Sequence, residues 1–292
     1  MSRVAVMTDT NSGIPKERAE KLGIYLLPMS FLVNGKIYYE GIDLTYEEFF
    51  EKLQDPDTEV STSQPAPGEV TDLWDEALKT HEQVVYIPMS SGLSASYQTA
   101  KMLADDYDGR VEVVNNQRIS VTQYASVLDA LNYAEAGMSA KEIREKLEND
   151  RFDSSIYIMV DTLKYLKKGG RITPAAALIG SVLNLKPVLQ IQGEKLDSYS
   201  KSRGIKLAKK SMLNAIHHDL DTRFAEYVKA GTMTISYSYS YHANMDEVEE
   251  WADEIRKEFP GYEVNGDPLS LSICCHIGEG ALAVTCENRP KV

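Results

Sequence analysis

Apolar residues along this chain fall in short runs separated by polar loops, and each run predicts an element. The run Arg3 to Met7 leads into Thr8-Asp9-Thr10-Asn11-Ser12-Gly13, with Pro15 suited to the first turn of a helix, so a strand, a loop and a helix start are expected in that order. Ser30 to Val33 and Lys36 to Tyr39 flank Asn34-Gly35, a pair that accepts positive φ and predicts a tight hairpin. Thr45 with Glu48, and later Ser139 with Glu142, have the spacing of capping boxes. Val84 to Pro88 reads as a strand that delivers Ser90-Ser91-Gly92-Leu93-Ser94 to a helix beginning near Ala95, and Val111 to Val114 as a further strand before a long helix. Such alternation predicts a parallel sheet covered by helices. The apolar run Ile156 to Val160 opens a second unit, which puts the division near Asp153, within about 4 residues, and gives domains of 1–153 and 154–292.

In the second unit Ala175 to Leu183 has helical character, Pro187 to Gln192 and Lys195 to Tyr199 read as strands, and Gly204 to His217 reads as a helix. Thr232 to Tyr241 alternates polar and apolar residues, Asp246 to Phe259 is an amphipathic helix, and Ala281 to Thr285 is a final strand. Serine and tyrosine alternate from Ser236 to Tyr241, the pattern of a strand with one tyrosine face. The expected fold class is α/β in two domains: the N-terminal one has a mainly parallel, helix-covered sheet and the C-terminal one a mixed sheet.

Composition narrows the function. The 292 residues, 43% apolar and 26% charged, suit about two globular domains. A formal net charge of −13 opposes wholesale binding to nucleic acid or to an anionic membrane, which needs a positive field over a large surface. Against that background the stretch Lys164 to Lys210 carries 11 Lys or Arg against only Glu194 and Asp197, a local charge of +9 that leaves −22 for the rest. Within it, Lys167-Lys168-Gly169-Gly170-Arg171-Ile172 places cations around a Gly-Gly turn. That arrangement suits a carboxylate or phosphate, because Arg forks onto such oxygens and glycine lets backbone N–H groups approach; a solvated basic helix face is the competing reading. The opening residues lack the apolar region of a signal peptide and no apolar run is long enough to span a bilayer, so a soluble cytoplasmic protein is expected. Cys274, Cys275 and Cys286 form no CxxC pair and suit buried reduced thiols. No metal is implied, since the adjacent His217 and His218 project in different directions from a helix.

Four polar loops need a joint explanation: Ser61-Thr62-Ser63-Gln64-Pro65, Ser90-Ser91-Gly92-Leu93-Ser94, Gly169-Gly170-Arg171 and His276-Ile277-Gly278-Glu279-Gly280. With the Thr8-Asp9-Thr10 loop, the segment 180–187 and Lys201-Ser202-Arg203, the set resembles, almost end to end, the DegV family of bacterial fatty-acid-binding proteins. The resemblance implies one long-chain fatty acid buried in a tunnel between the two domains, its carboxylate held by hydroxyls on polar loops. In some members the bound acid is presented to a separate ATP-dependent fatty acid kinase subunit and converted to acyl phosphate. The implied protein is a lipid-binding protein, not an enzyme on its own, with the fatty acid as ligand, no cofactor, and the kinase subunit as partner. Carried onto this chain, Thr62 and Ser94 would hydrogen-bond the carboxylate, with Ser63, Ser91 and Gly92 as secondary positions of the polar loops. Arg171 and His276 would contact the head group or the added phosphate, and Arg203 the phosphate or the kinase. Ser and Thr equally serve as caps and turn hydroxyls, and an isolated histidine is more often structural; the glycine context and the family match favour the site. Phe31, Ala177, Leu178 and Ile179 are tail-lining candidates whose default role is core packing. The chain departs from the family pattern at Glu279, where proline is usual, and a carboxylate beside an anion repels it unless it points away. Ala95 likewise stands where glycine is common.

The alternative is a serine-dependent hydrolase acting on an acyl ester, with Ser91 or Ser94 on a strand-to-helix loop and His276 as base. Gly92-Leu93-Ser94-Ala95-Ser96 misses the G-x-S-x-G nucleophile elbow at its last position, and nothing nominates a third triad member. The phosphate-binding pattern of an ATP-binding loop is absent, so ATP turnover is expected to require a partner chain. A nucleic-acid-binding regulator would have to use the basic stretch without any recognition motif.

Overall fold

The computed structural model describes residues 3–178, 185–193, 195–242 and 244–290. The first sheet has four parallel strands, β1 (Val4–Asp9), β2 (Tyr25–Leu27), β6 (Gln83–Ile87) and β7 (Val111–Val113), in the order β2-β1-β6-β7. All six residues of β1 are buried, as expected of a strand covered on both faces. Its alternate side chains go to opposite cores. Val4 and Val6 pack with Ile143 and Leu147 of the helix Ala140–Asn149, while Ala5 and Met7 pack with Trp74 of the helix Pro67–Ala77 and Ala100 of the helix Ser96–Ala104. Three antiparallel strands, β3 (Ser30–Val33), β4 (Lys36–Tyr39) and β5 (Val60–Thr62), form a small second sheet in the order β4-β3-β5. Its hairpin turns at Asn34 and Gly35, with φ of 50° and 77°, the left-handed pair that a two-residue hairpin loop needs.

The third sheet is mixed and six-stranded: β8 (Ser154–Met159), β9 (Leu185–Ile191), β10 (Asp197–Arg203), β11 (Met233–Tyr239), β12 (Val264–Pro268) and β13 (Leu282–Asn288), in the order β10-β9-β8-β13-β11-β12. Only the β11–β12 pair is parallel. The molecule is therefore two α/β domains, one with a parallel sheet and one with a mixed sheet. We propose to divide them at 1–153 and 154–292, between the helix Ala140–Asn149 and β8. Both capping boxes expected from sequence, at Thr45 with Glu48 and Ser139 with Glu142, are formed.

Some expectations change. The strand β11 ends at Tyr239, so the tyrosines do not share one face: Tyr237 and Tyr239 stack at 6.3 Å, whereas Tyr241 lies beyond the strand and stacks on Phe50 of the other domain at 5.1 Å. The helix expected from Ala175 to Leu183 is described only over Pro174–Ala177; residues 179–184 lie outside the described set, Ile179 among them.

A shared apolar core fixes the two domains against each other. Phe31, Phe49 and Phe50 from the first domain pack in one cluster with Ile156, Leu189 and Ile273 from the second. Among the described residues three ion pairs also cross: Arg18 forks onto Asp267 at 2.7 and 2.8 Å, Arg289 reaches Asp129 at 3.0 Å, and the exposed Lys168 lies 3.5 Å from Glu59.

Candidate functional site

In an open parallel sheet the loops at the carboxyl ends of adjacent strands separate where the chain winds in opposite directions from them, and a crevice opens there. Here that point lies between β1 and β6: the chain leaves β1 toward β2 on one side and β6 toward β7 on the other. The loop after β1 supplies Asn11, and the loop after β6 supplies Met89, Leu93 and Ser94. Opposite them stands the short helix Leu271–Ile277 of the second domain, with Ser272, Ile273 and His276. Together with Thr62 at the end of β5, Ile119, Leu166, Arg171 and Leu196, these residues enclose a cavity of about 150 Å³. One buried water needs roughly 10–15 Å³ on the same measure, so the space suits a ligand of many atoms.

Four of the expected head-group residues meet in this cavity: Thr62, Ser94, Arg171 and His276. The Thr62 hydroxyl and His276 Nε2 are 2.8 Å apart. Ser94 Oγ accepts from the Ser96 N–H at 3.2 Å and lies 2.7 Å from Ser96 Oγ, so it starts the following helix as well as facing the cavity. Arg171 donates from Nε to the Leu93 carbonyl at 3.1 Å and from Nη1 to the Gly169 carbonyl, which clamps the guanidinium across the domain junction. Its Nη2 takes part in neither bond. Burial, and then the charge of Arg171, push His276 down to about 4, so the imidazole is neutral at pH 7 and acts as a hydrogen-bonding group without charge. Gly169 is what lets the loop approach this ring: a Cβ there would lie 2.7 Å from His276 Cε1.

The remaining expected residues lie outside the cavity or at its rim. Ser63 lines it and lies 3.1 Å from Ser30 Oγ. Ser91 and Gly92 line an open groove of about 320 Å³ immediately outside, with Gln98, Gly170 and Lys195; Leu93, Ser94, Ala95 and Arg171 belong to both walls and so form the doorway. Arg203 is exposed at the end of β10 and lines neither space. Among the tail-lining candidates, Phe31 is fully buried in the shared core, packed edge-on to Phe49 at 5.2 Å, while Leu178 is 84% exposed. Leu178 does not line the cavity because its helix turns that side chain to the surface. His276 and Ser94 each hydrogen-bond elsewhere, so no Ser–His pair of the hydrolase type forms among the described residues.

The family model described as "Uncharacterised protein, DegV family" matches residues 3–289. The chain belongs to the DegV family. A DegV domain-containing protein of Listeria innocua is 31% identical over 287 residues, covering 97% of this chain and 98% of its own length. The protein DegV of Bacillus subtilis is 30% identical over 285 residues, 96% of this chain and 98% of that one. Among solved structures, a DegV family protein from Thermus thermophilus described by its fatty acid binding superposes with a TM-score of 0.87 at 29% identity, covering 99% of this chain and 100% of its own. DegV from Bacillus subtilis, described as a fatty acid binding protein, does so with a TM-score of 0.82 at 28% identity and the same coverage.

Against the DegV pattern, the Glu279 departure is resolved by direction. Its carboxylate accepts from Gln54 Nε2 at the surface, facing away from the cavity, between Gly278 and Gly280 at φ of 80° and 74°. Sequence reasoning missed Asn11 and Ser272, which line the cavity, and Glu40 behind them. Glu40, half-buried as a residue, accepts from Thr10 Oγ1 at 2.7 Å, from the Leu271 N–H and from Ser272 Oγ at 3.4 Å. The Thr8-Asp9-Thr10-Asn11 loop was visible as a motif, but only the tertiary contact with Ser270 and Ser272 shows which of its residues faces the ligand space.

Proposed function

We propose that this chain binds one long-chain fatty acid in the interdomain cavity and presents its carboxylate to a separate ATP-dependent kinase subunit. The observation that carries the reading is the convergence of Thr62, Ser94, Arg171 and His276 in a space whose other walls are mainly apolar, with Met29, Met89, Leu93, Ile119, Leu166 and Leu196 outnumbering the further polar residues Asn11, Ser63, Gln64 and Ser272. A mainly apolar cavity with one cationic side chain among its few polar groups matches an amphiphile with one charged head. Thr62 and Ser94 donate to the carboxylate, Arg171 supplies the counter-charge through Nη2, and neutral His276 orients the Thr62 hydroxyl.

Magnitudes assign the roles. Burial of about 14 methylenes at ~0.8 kcal/mol each offers roughly 11 kcal/mol before the costs of association. A hydrogen bond to a charged group adds only about 1.5–3 kcal/mol. The tail supplies affinity and the polar residues fix where the carboxylate sits. The doorway groove, with Arg171, Gly170 and Lys195 on its walls, supports presentation to a partner. There a carboxylate oxygen attacks the γ-phosphorus of ATP held by the kinase, the bond from that phosphorus to ADP breaks, and the cations offset the spread of negative charge. Arg203, exposed on the same domain, is assigned to kinase docking.

The deciding experiment is native and denaturing mass spectrometry of the purified protein with analysis of its organic extract. One equivalent of fatty acid released on denaturation is the expected result. A protein that is empty and takes up no added fatty acid would overturn the reading.

A further inference from the structure

The helix Lys164–Gly169 and the end of the helix Leu271–Ile277 meet reciprocally, each side contributing one ring and one glycine. A Cβ added to Gly169 would lie 2.7 Å from Cε1 of the His276 ring, and a Cβ added to Gly278 would lie 2.8 Å from Cδ2 and from Cε2 of the Tyr165 ring. Tyr165 and Gly169 are one turn apart and share a face of their helix, so the two contacts run along one seam. Gly278 has φ 80° and ψ −166°, a region essentially confined to glycine, and its N–H returns to the Cys274 carbonyl at 2.9 Å. The helix that carries His276 therefore stops against the tyrosine ring. The Tyr165 hydroxyl reaches only the Leu53 carbonyl, at 3.5 Å, the outer limit of a hydrogen bond, so the ring and not the hydroxyl makes the contact. Tyr165 is not among the described residues that line the cavity.

We infer that Tyr165 is a positioning residue for the head-group site: its ring on Gly278 fixes the end of the helix that presents the His276 imidazole to Thr62. Thr62 and Ser94 come from the first domain, Arg171 and His276 from the second. Because Arg171 follows Gly169 by two residues, the paired rings and glycines hold both second-domain members as one body. The consequence for a bound carboxylate rests on the fatty-acid reading above; the ring-on-glycine lock does not.

The test is NMR on the wild-type chain, Tyr165→Phe and Tyr165→Ala, first without ligand and then with palmitic acid isotopically labelled at its carboxyl carbon. In the wild type the Gly278 Hα signals should lie upfield, shielded by the ring; ordinary positions would overturn the lock, and this arm decides even where a variant fails to fold. Without ligand, Tyr165→Ala should raise the His276 pKa from about 4 by about one pH unit or more, since water gains access while the Arg171 charge stays, and Tyr165→Phe should leave it in place. A change that only destabilises the protein lowers the melting temperature without moving that value, so a folded Tyr165→Ala protein with His276 still at about 4 sinks the inference. With the labelled acid, the carboxyl resonance of Tyr165→Phe should match wild type and that of Tyr165→Ala should be displaced while uptake continues. An identical carboxyl signal in all three proteins would remove Tyr165 from the head-group site. A wild-type protein that takes up no palmitic acid overturns the carrier reading instead, and the ligand-free arms still decide the lock.

Discussion

His276 sits under opposed influences, and their balance decides what the head-group site is made of. As the penultimate residue of the helix Leu271–Ile277 it is near a negative dipole end, which favours the imidazolium. Burial and the neighbouring Arg171 favour the neutral ring and prevail, holding its pKa at about 4. Arg171 is then the cation of the pair, and the ring is a partner for the Thr62 hydroxyl. A bound carboxylate adds a negative charge beside the ring, so an imidazole titration followed by NMR should find His276 near 4 in the empty protein and higher with fatty acid present. An ordinary value near 6.5 in the empty protein would contradict the balance described. On the proposed function, Thr62→Ala removes one head-group bond, about 1.5–3 kcal/mol, and leaves the apolar wall intact. Lipid should still copurify with this variant, while acyl phosphate formation with the proposed kinase partner falls; complete loss of lipid from a folded Thr62→Ala protein would show that the head group dominates affinity.

At the scale of elements, the site depends on a close approach of two short helices. Gly169 ends the helix Lys164–Gly169, and its backbone needs no left-handed conformation, unlike Gly170 at φ 69°. The atoms nearest to a Cβ added there belong to the His276 ring. Gly169→Ala should therefore keep the fold, since its backbone conformation suits alanine, yet displace the imidazole and weaken the proposed carboxylate positioning. Circular dichroism should look like wild type, while the His276 resonances shift and, on the proposed function, phosphorylation of the bound acid drops; unchanged His276 resonances would refute the contact. Elements with long periodic patterns, such as the hairpin at Asn34-Gly35 and the helix Asp246–Glu258, were legible in the sequence because local chemistry alone specifies them. The strand β5 and the helix Leu271–Ile277 were not. β5 has three residues held by pairing with β3, and the seven-residue helix, with two Ile and two Cys, has modest propensity and depends on the Ser270 cap and the Glu40 carboxylate. Thr62, Ser94, Arg171 and His276 were legible through the family's motifs; Asn11 and Ser272 had no local signal, since what makes them noticeable is one amide facing two serines 259 and 261 positions away.

For the molecule as a whole, the polar network behind the cavity links stability to pH. Glu40 joins the first domain to the start of the helix that carries His276, and burial raises its pKa from 4.5 to about 7 against the hydrogen bonds from Thr10, Leu271 and Ser272; Asp9 nearby adds to the rise. Asp9 is itself raised, chiefly by burial. A carboxyl with a raised folded pKa binds more protons in the native state, so its contribution is fully present below about 4.5 and is lost as pH climbs through about 7. His276 has the opposite sign: lowered from 6.5 to about 4, it costs stability as pH falls through that window. The two effects largely cancel between them, so the wild-type profile alone does not isolate either. The difference between wild type and Glu40→Gln does. Glutamine cannot ionise, so the stability of Glu40→Gln relative to wild type should rise between pH 4.5 and 8 by up to about 3 kcal/mol, less whatever partial exposure screens. Urea unfolding of both proteins at the two pH values measures this directly, with Asp9 left unchanged in both. A relative stability that stays flat or falls with pH would mean that the Glu40 carboxyl is ionised at little cost, and that the junction between the domains holds a charge there without strain.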